Sequence, residues 1–148
     1  MRHNNRWVIV IPIMAGLQLA ACSHKAAAPA KVKPSHVEHI EGQEVSRITL
    51  TQRAAERLDI KTDVVRDMRA ARSGTVRKGV SYAAVLYDAK GNTWVYTNPD
   101  SQVFMRQRIV VDYIEGDMAV LSDGPPAGTK VVIVGAAELF GAEFEIGH

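Results

Sequence analysis

SYAAVLYDAKGNTWVYT, residues 81–97, gives the clearest indication of the fold class. Two apolar runs flank the turn-forming cluster Asp88-Ala-Lys-Gly-Asn92, so the stretch predicts a β-hairpin. In the second run, Trp94 and Tyr96 fall on one face of the predicted strand and Val95 on the other. We expect at least one of these two faces to be buried in a core.

Strand patterns continue on the C-terminal side of this hairpin. Residues 102–111 predict a long strand and residues 118–121 a shorter one, with turn-forming residues between them. Val131-Val-Ile-Val134 is apolar at successive positions, which predicts a strand that is buried on both faces. Residues 135–141 predict a short helical turn, and residues 143–146 predict an edge strand.

The N-terminal side of the hairpin adds a strand, a helix and a second strand. Residues 45–50 predict the first strand, and Thr51 can cap a helix of about two turns that carries Ala54. Residues 60–64 alternate as in a strand with one buried face. Residues 65–79 are rich in arginine and predict a solvated loop or an exposed edge. The whole pattern predicts an α+β, mainly β fold: a small β-roll or barrel with one short helix.

The first 22 residues have the pattern of a bacterial lipoprotein signal. A basic start precedes the apolar run 7–21, and Leu19-Ala-Ala-Cys22 resembles a lipobox, with small residues before the cysteine. The run is too short to cross a bilayer, because about fifteen helical residues rise about 22 Å and a bilayer core measures about 30 Å. We therefore expect a signal peptide at 1–21, acylation of Cys22, and a protein anchored in the cell envelope and facing the periplasm.

Residues 22–43 predict a flexible tether, because they contain few large apolar side chains and several alanines, prolines and lysines. The folded domain is then expected at residues 44–148. The net charge of the whole chain is +2, and cleavage would remove Arg2 and Arg6 and leave a formally neutral protein. No basic stripe remains to indicate a nucleic-acid partner.

The predicted domain lacks the residues that most often carry catalysis. Residues 40–147 contain neither histidine nor cysteine, and the sequence has no GxSxG, no phosphate-binding glycine loop and no HExxH. Acid–base or nucleophilic chemistry would have to use carboxylates, Lys, Ser, Thr or Tyr alone. We therefore predict that the protein is not an enzyme, with no catalytic residue and no cofactor.

Metal binding is an alternative because His36, Glu38, His39 and Glu41 lie close together in the sequence. Imidazole and carboxylate groups suit a borderline cation. These residues lie in the predicted tether, however, so a site would have to order the backbone around it. We assign no metal ligand, and the question of whether His36 and His39 bind metal stays open at this point.

Residues 48–62, 81–96, 104–111 and 128–144 follow one another in an order and density that are similar to those of a known family. They resemble the membrane-proximal domain of the periplasmic adaptors, or membrane fusion proteins, of resistance-nodulation-division efflux pumps. In that family the domain is built from both ends of a longer chain. Here only residues 65–79 join the two ends, which is too short a segment for the β-barrel, lipoyl-like and helical-hairpin domains of full adaptors.

The resemblance implies a role in transmembrane efflux through contact with an inner-membrane pump or with full-length adaptor subunits. The candidate contact residues are Arg69 and Arg72 in the basic stretch and Leu139, Phe140 and Phe144 near the end. The last three have an alternative role, which is to close the core.

Two other interpretations stay open: a small periplasmic metal- or solute-binding lipoprotein, and a remnant of a shortened adaptor. Two observations on location point in opposite directions. The resemblance favours the inner membrane. The residue directly after Cys22, however, is Ser23 and not the aspartate that retains lipoproteins there in many enteric bacteria. We expect the inner membrane rather than the outer one, because the implied partners reside there.

Overall fold

The computed structural model describes residues 33–144, which form a mainly β domain with two short α-helices. Cys22, the predicted signal peptide and the first part of the predicted tether lie outside these residues. The helices are α1 (Gln52–Arg57) and α2 (Ala136–Glu143), and a 3-10 turn covers Tyr82–Ala84. The strands are β1 (Ser35–His39), β2 (Ser46–Leu50), β3 (Lys61–Val64), β4 (Arg66–Arg69), β5 (Val76–Ser81), β6 (Leu86–Tyr87), β7 (Thr93–Asp100), β8 (Val103–Glu115), β9 (Met118–Asp123) and β10 (Lys130–Val134).

The first sheet is built around the hairpin of β7 and β8. Its order is β1-β2-β8-β7-β10-β3 with antiparallel pairing, and β6 adds a short pairing to β7. Tyr96 on β7 lies opposite Arg106 on β8. On the other side of β8, Ile48 of β2 lies opposite Phe104. This sheet therefore combines strands from both ends of the domain.

The second sheet shares strand β8 with the first. β8 is 13 residues long, and its second half pairs with β9, which is followed by β5 and β4. A single residue, Val65, separates β3 of the first sheet from β4 of the second. The backbone N–H of Val65 donates to the carbonyl of Thr129 (2.9 Å), and its carbonyl accepts from the N–H of Gly128 (2.8 Å). The sheets are thus joined within β8 and again at Val65.

These two junctions curl the sheet into a half-barrel. The predicted fold class, α+β and mainly β with a roll-like sheet, is confirmed. The predicted helix is also confirmed as α1, since the hydroxyl of Thr51 accepts a hydrogen bond from the backbone N–H of Ala54 (3.2 Å) and caps the first turn.

Two hydrophobic cores lie on opposite faces of β7. Tyr96 belongs to the first core, which both helices cover, and Val95 belongs to the second, which lies inside the curled sheet. Both side chains are fully buried. The alternation predicted for this strand is therefore confirmed, with both faces buried. Val131 and Val132 on β10 likewise enter the two different cores, whereas Val134 is 40% exposed at the end of the strand.

Strand β1 lies inside the stretch 22–43 that was predicted to be a tether, so the folded domain begins before residue 44. β1 pairs with β2 along its length, from Ser35 opposite Leu50 to His39 opposite Ser46, and Val37 packs against the first core. Backbone pairing offsets the ordering entropy of a stretch with few apolar side chains. Composition does not reveal such pairing.

Two other predicted strands need correction. Residues 81–87 are not one strand, because β5 ends at Ser81, a 3-10 turn follows, and Leu86–Tyr87 alone pair with β7. The turn places Ala84 in the second core. Glu143, the first residue of the predicted strand 143–146, belongs to α2 instead. The last two residues of that predicted strand lie outside the described part of the chain.

Candidate contact sites

The residues predicted to contact a partner form two separate groups in the fold. One group lies on α2, which packs against β1, β2 and β7 and pairs with Arg106 in the first half of β8, and the other lies on the β4–β5 hairpin beside the second half of β8. The β8 residues that they contact, Arg106 and Tyr113, are seven positions apart in the sequence, or about 23 Å along an extended strand. The two groups therefore belong to different surfaces. The members are Leu139, Phe140 and Phe144 on α2 and its C-terminal end, and Arg69 and Arg72 on the hairpin.

The α2 group is only partly accessible. Leu139 is fully buried in the first core, so it cannot contact a partner while α2 stays in place, and its alternative role of closing the core is the one observed. Phe140 is half-buried against the same core, and its ring centroid lies 4.7 Å from that of Phe144. Phe144 is 47% exposed. The exposed part of this group is therefore the edge formed by Phe144.

Beneath these phenylalanines lies a buried ion pair between Arg106 on β8 and Glu143 on α2. Nε of Arg106 donates to Oε2 of Glu143 (3.2 Å), and Nη2 donates to Oε1 (3.3 Å). The two side chains are 5% and 2% exposed. Nη2 also donates to the carbonyl of Glu44 (2.9 Å), and the backbone N–H of Ser46 donates to the Glu143 carboxylate (3.2 Å). The pair thus binds α2 to the sheet and to the chain before β2.

The hydroxyl of Tyr96 donates a further hydrogen bond to the Glu143 carboxylate. Burial of the tyrosine, followed by its hydrogen bond to this carboxylate, raises the pKa of Tyr96 well above its ordinary range. The hydroxyl therefore stays protonated and keeps donating across the physiological pH range. No buried side-chain nitrogen or oxygen in residues 33–144 lacks a hydrogen-bond partner, so this network is a satisfied structural clamp.

The guanidinium of Arg106 also stacks on aromatic rings. Its Cζ lies 4.1 Å from the ring centroid of Trp94 and 5.0 Å from that of Phe144. The indole N–H of Trp94 donates to the carboxylate of Asp88 (3.1 Å). Hydrogen bonds from the side chain of Asn92, then from Trp94 and nearby backbone N–H groups, lower the pKa of Asp88 well below its usual range. The clamp is thus continuous with the turn before β7.

Sequence reasoning missed this clamp. Glu143 was assigned to a strand, and Arg106 was treated as an ordinary member of the predicted strand 102–111. One signal was available, because strand periodicity places Arg106 on the same face as Phe104, which lies two residues earlier and is buried. A charged residue on a buried face requires a partner of opposite charge. That partner could not be identified from the sequence.

The hairpin group is held by exposed contacts. Cζ of Arg72 lies 4.0 Å from the ring centroid of Tyr113, and the carboxylate of Glu115 accepts from the backbone N–H of Ala71 (3.3 Å). Nη1 of Arg69 donates to the carbonyl of Gly74 across the hairpin (3.1 Å). These residues lie at the accessible end of the second sheet, where a partner could reach them.

The other cations of the basic stretch are engaged locally. Arg66 pairs with Asp63, and Arg77 lies 3.8 Å from Asp112. Lys78 donates to a backbone carbonyl, that of Gly124. Within residues 33–144, Arg66 and Arg77 are thus the members of the stretch 65–79 that pair with carboxylates, and the stretch forms a hairpin at the sheet edge that stays basic at Arg69 and Arg72.

The histidines that suggested a metal site point away from each other. His36 and His39 are three residues apart on β1, so their side chains lie on opposite faces of the strand. His36 lies 3.4 Å from Glu38, whereas Nδ1 of His39 lies 2.9 Å from the hydroxyl of Ser46. Within residues 33–144 there is no group of three or more His, Cys, Asp or Glu side chains placed to hold a metal ion.

The predicted lipidation site, Cys22, lies outside the described residues. Within residues 33–144, none of the helices has the length and apolar character needed to span a membrane.

No protein-family model matches this sequence, no curated protein is significantly similar to it, and no solved structure matches its fold. The resemblance to efflux adaptors therefore depends on the sequence and order of four segments, residues 48–62, 81–96, 104–111 and 128–144.

Proposed function

We propose that this chain is a non-catalytic lipoprotein of the bacterial envelope that acts by protein–protein contact in transmembrane efflux. It resembles the membrane-proximal domain of periplasmic adaptors without their other domains. Its partners are then an inner-membrane pump of the resistance-nodulation-division class or full-length adaptor subunits. Acyl chains on Cys22 would anchor it, with the inner membrane favoured over the outer.

The main support for this proposal is that the upstream and downstream segments that resemble an adaptor pair with each other in one sheet. The upstream segment contributes β2 and α1, and the downstream segments contribute β7, β8, β10 and α2. Ile48 lies opposite Phe104, and Val132 of β10 lies opposite Thr62 of β3. The family's membrane-proximal domain is likewise expected to form from both ends of its chain. In chain order, the β4–β5 hairpin lies between the two resembling segments, where the longer chains of the family would carry their other domains.

The short helices limit what the protein can do in a pump assembly. The helices in the described residues are six and eight residues long. Helices of that length rise only about 9–12 Å, far less than a periplasmic helical hairpin needs to reach an outer-membrane channel. We therefore expect the protein to associate with a pump assembly without replacing a full adaptor in it.

Site-specific photocrosslinking in whole cells tests the proposed contact. A photoreactive amino acid would replace Arg72 on the hairpin or Phe144 beside α2, and Arg53 on the exposed side of α1 would serve as the matched control position. We expect a pump or adaptor subunit to be recovered from at least one of the first two positions and not from the third. The double substitution Arg69→Glu and Arg72→Glu should lower the yield if the hairpin makes the contact.

Two outcomes would contradict the proposal. Recovery of no pump or adaptor subunit from either test position would favour a remnant or a lipoprotein of unrelated function. Full restoration of resistance in a strain that lacks its adaptor and expresses only this protein would contradict the geometric limit. Density-gradient fractionation tests the location, since recovery with outer-membrane porins would exclude the inner membrane.

A further inference from the structure

Strand β1 forms an open edge of the first sheet. Within residues 33–144 it pairs with β2 alone, over five consecutive residues and without a shift of register. The side of β1 that points away from β2 therefore carries backbone N–H and C=O groups that no other described strand meets. An edge of this kind is a template on which a further strand can pair.

The hydrogen bonds at the start of β1 show which of its residues face the open side. The carbonyl of Pro34 accepts a hydrogen bond from the backbone N–H of Thr51, at the end of β2 (2.9 Å). Along an antiparallel strand, the backbone groups of successive residues point alternately to the two sides. Ser35, Val37 and His39 therefore direct their N–H and C=O groups away from β2, where another strand can bind them.

The other edges of the sheets have features that hinder pairing. β4 has an arginine at each end, Arg66 and Arg69, while β3 begins at Lys61 and its pairing with β10 contains a shift of register. β6 has only two residues. Long cations, irregular pairing and short strands all protect a sheet edge. β1 contains no lysine, arginine or proline and is regular throughout, so it is the least protected of these edges.

The sequence of β1 is complementary to itself when two copies run antiparallel. If the copies pair about Val37, His36 of each copy lies opposite Glu38 of the other. These are then the pairs without backbone hydrogen bonds, in which the Cα atoms are about 4.5 Å apart and the side chains lie closest. An imidazole N–H can donate to a carboxylate at that distance. Parallel pairing would instead place like residues side by side, which favours the antiparallel arrangement.

Within one copy, the side chains of His36 and Glu38 are available for such a contact. They are 72% and 53% exposed, and they lie on the face of β1 opposite to Val37. Nε2 of His36 lies 3.4 Å from Glu38, and the nearest cation to that carboxylate, Arg47, lies 4.0 Å away. These long, exposed contacts hold neither side chain firmly, so both can turn to a second copy.

We propose that the chain forms a two-fold symmetric dimer through β1, with Val37 of each copy opposite Val37 of the other. About six backbone hydrogen bonds join the edges, two between the valines and four between Ser35 and His39 of opposite copies. The first sheets of the two copies then continue into each other. Because the paired strands are short, the dimer is weak in dilute solution, and anchoring to one membrane favours it by raising the local concentration. The inference does not depend on the proposed role in efflux.

Cysteine crosslinking between two differently tagged full-length copies in the same cells tests the register. We expect a disulfide-linked dimer when one copy carries His36→Cys and the other carries Glu38→Cys, after treatment with a mild thiol oxidant. Either variant alone should link far less, because two copies of one position are about 7–8 Å apart, farther than a disulfide normally spans. The unsubstituted chain, which contains Cys22, gives the background.

Arg47→Cys supplies the matched control position, since Arg47 is also exposed but lies on β2, one strand farther from the edge. Combined with His36→Cys on the other copy, it should give no linked dimer above background. The proposal is overturned if the pair at positions 36 and 38 stays at background. It is also overturned if either of those variants alone links as well as the mixture, which would indicate parallel pairing or another register.

Sedimentation equilibrium of the full chain in density-matched detergent measures the association itself. We expect the average mass to rise from monomer towards dimer with concentration. Ser35→Pro removes an N–H that faces the open edge, at a position where a strand tolerates proline. Since it removes two hydrogen bonds from the symmetric dimer, the dissociation constant should rise about tenfold or more. Monomer mass for the unsubstituted chain up to about 0.5 mM, or unchanged association of Ser35→Pro, would refute the dimer.

Glu41→Pro is the matched control for the proline substitution. Glu41 is the second residue of the turn between β1 and β2, in which the N–H of Gln43 donates to the carbonyl of Ile40 (3.0 Å) and Gly42 has φ 77°. This geometry is that of a type II turn, which favours proline at its second position. Glu41→Pro should therefore fold and associate like the unsubstituted chain. Urea unfolding of both proline variants checks that any loss of association is not a loss of folding.

Discussion

Two arginines in this domain stack on aromatic rings at nearly the same distance, in very different surroundings. Cζ of Arg106 lies 4.1 Å from the ring centroid of Trp94, and Cζ of Arg72 lies 4.0 Å from that of Tyr113. Arg106 is buried and paired with Glu143, whereas Arg72 is exposed. No carboxylate within residues 33–144 forms an ion pair with Arg72 at 4.0 Å or less. A stacking distance by itself therefore says little about what an arginine contributes to stability.

The difference lies in what surrounds each charge. A buried charge that loses its partner cannot regain its hydration, so the α2 region depends strongly on an intact pair. An exposed cation stacked on a ring is hydrated in every state and contributes little to folding. The clamp around Arg106 is thus a structural feature, whereas the β4–β5 hairpin can change its surface residues at small cost. A contact surface can evolve more easily on the hairpin.

The strongest test of this comparison is Glu143→Ala. The substitution leaves the Arg106 guanidinium buried without its carboxylate and removes the acceptor of the Tyr96 hydroxyl. We expect the free energy of unfolding to fall by about 3–5 kcal/mol, as for other buried pairs that lose one partner. Urea unfolding of the full chain measures the change. Glu138→Ala, at an exposed position of the same helix, is the control and should stay within about 0.5 kcal/mol.

A double-mutant cycle sharpens this result. Arg106→Met combined with Glu143→Met replaces the ion pair by apolar groups of similar length, so no charge is left buried. We expect the double variant to be more stable than either single variant, with a coupling of about 0.5–3 kcal/mol. Additive effects of the two substitutions would show that the pair is not coupled and would contradict the clamp.

Glycine replacements compare a position with positive φ beside α2 and a position without one on the hairpin. At Gly135, which has φ 89° and precedes α2, a Cβ would overlap Cδ1 of Ile60. At Gly79 on β5, a Cβ would overlap the thioether of Met68, which is flexible and half-buried. We expect Gly135→Ala to lower the free energy of unfolding by about 2–4 kcal/mol, because it adds backbone strain to overpacking. Gly79→Ala should cost about 1 kcal/mol or less, since Met68 can move.

Thermal and urea unfolding of the two glycine variants measure this difference. An equal loss at both positions would show that Met68 does not move aside, so that overpacking alone at Gly79 costs as much as overpacking and backbone strain together at Gly135.

The pH dependence of stability tests the outer part of the clamp. The pKa of Asp88 is lower in the folded chain than its ordinary value of about 3.9, so its carboxylate stabilises the fold above that pH. This contribution is lost as the pH falls from about 4 towards the lower folded value. Asp88→Asn should therefore flatten the loss of stability below pH 4, measured by urea unfolding at a series of pH values. Asp67→Asn on the hairpin is the control, and an unchanged slope for Asp88→Asn would contradict the assignment.

The smallest expected effect is that of Arg72→Ala. Because the guanidinium is exposed, loss of its contact with Tyr113 should lower the free energy of unfolding by about 0.5–1 kcal/mol at most. Arg53→Ala on α1 gives the baseline for losing an exposed arginine. A loss for Arg72→Ala comparable to that of Glu143→Ala would remove the distinction between the two arginines.

The local patterns of the sequence determined much of the secondary structure. Alternation around Trp94 predicted β7, turn residues predicted its hairpin, and Thr51 predicted the start of α1. These features depend on residues a few positions apart, which is why they can be recognised without a structure. The mainly β fold class follows from the number and spacing of such patterns.

Contacts between residues far apart in the chain could not be predicted from local patterns. Glu143 accepts a hydrogen bond from the backbone of Ser46, 97 residues away in the chain, and pairs with Arg106, 37 residues away. The pairing of β1 with β2 and the passage between sheets at Val65 likewise depend on partners that local composition does not reveal. Burial of a charge or ordering of a polar strand is favourable only when its partner is in place, and that partner is supplied by the folded chain.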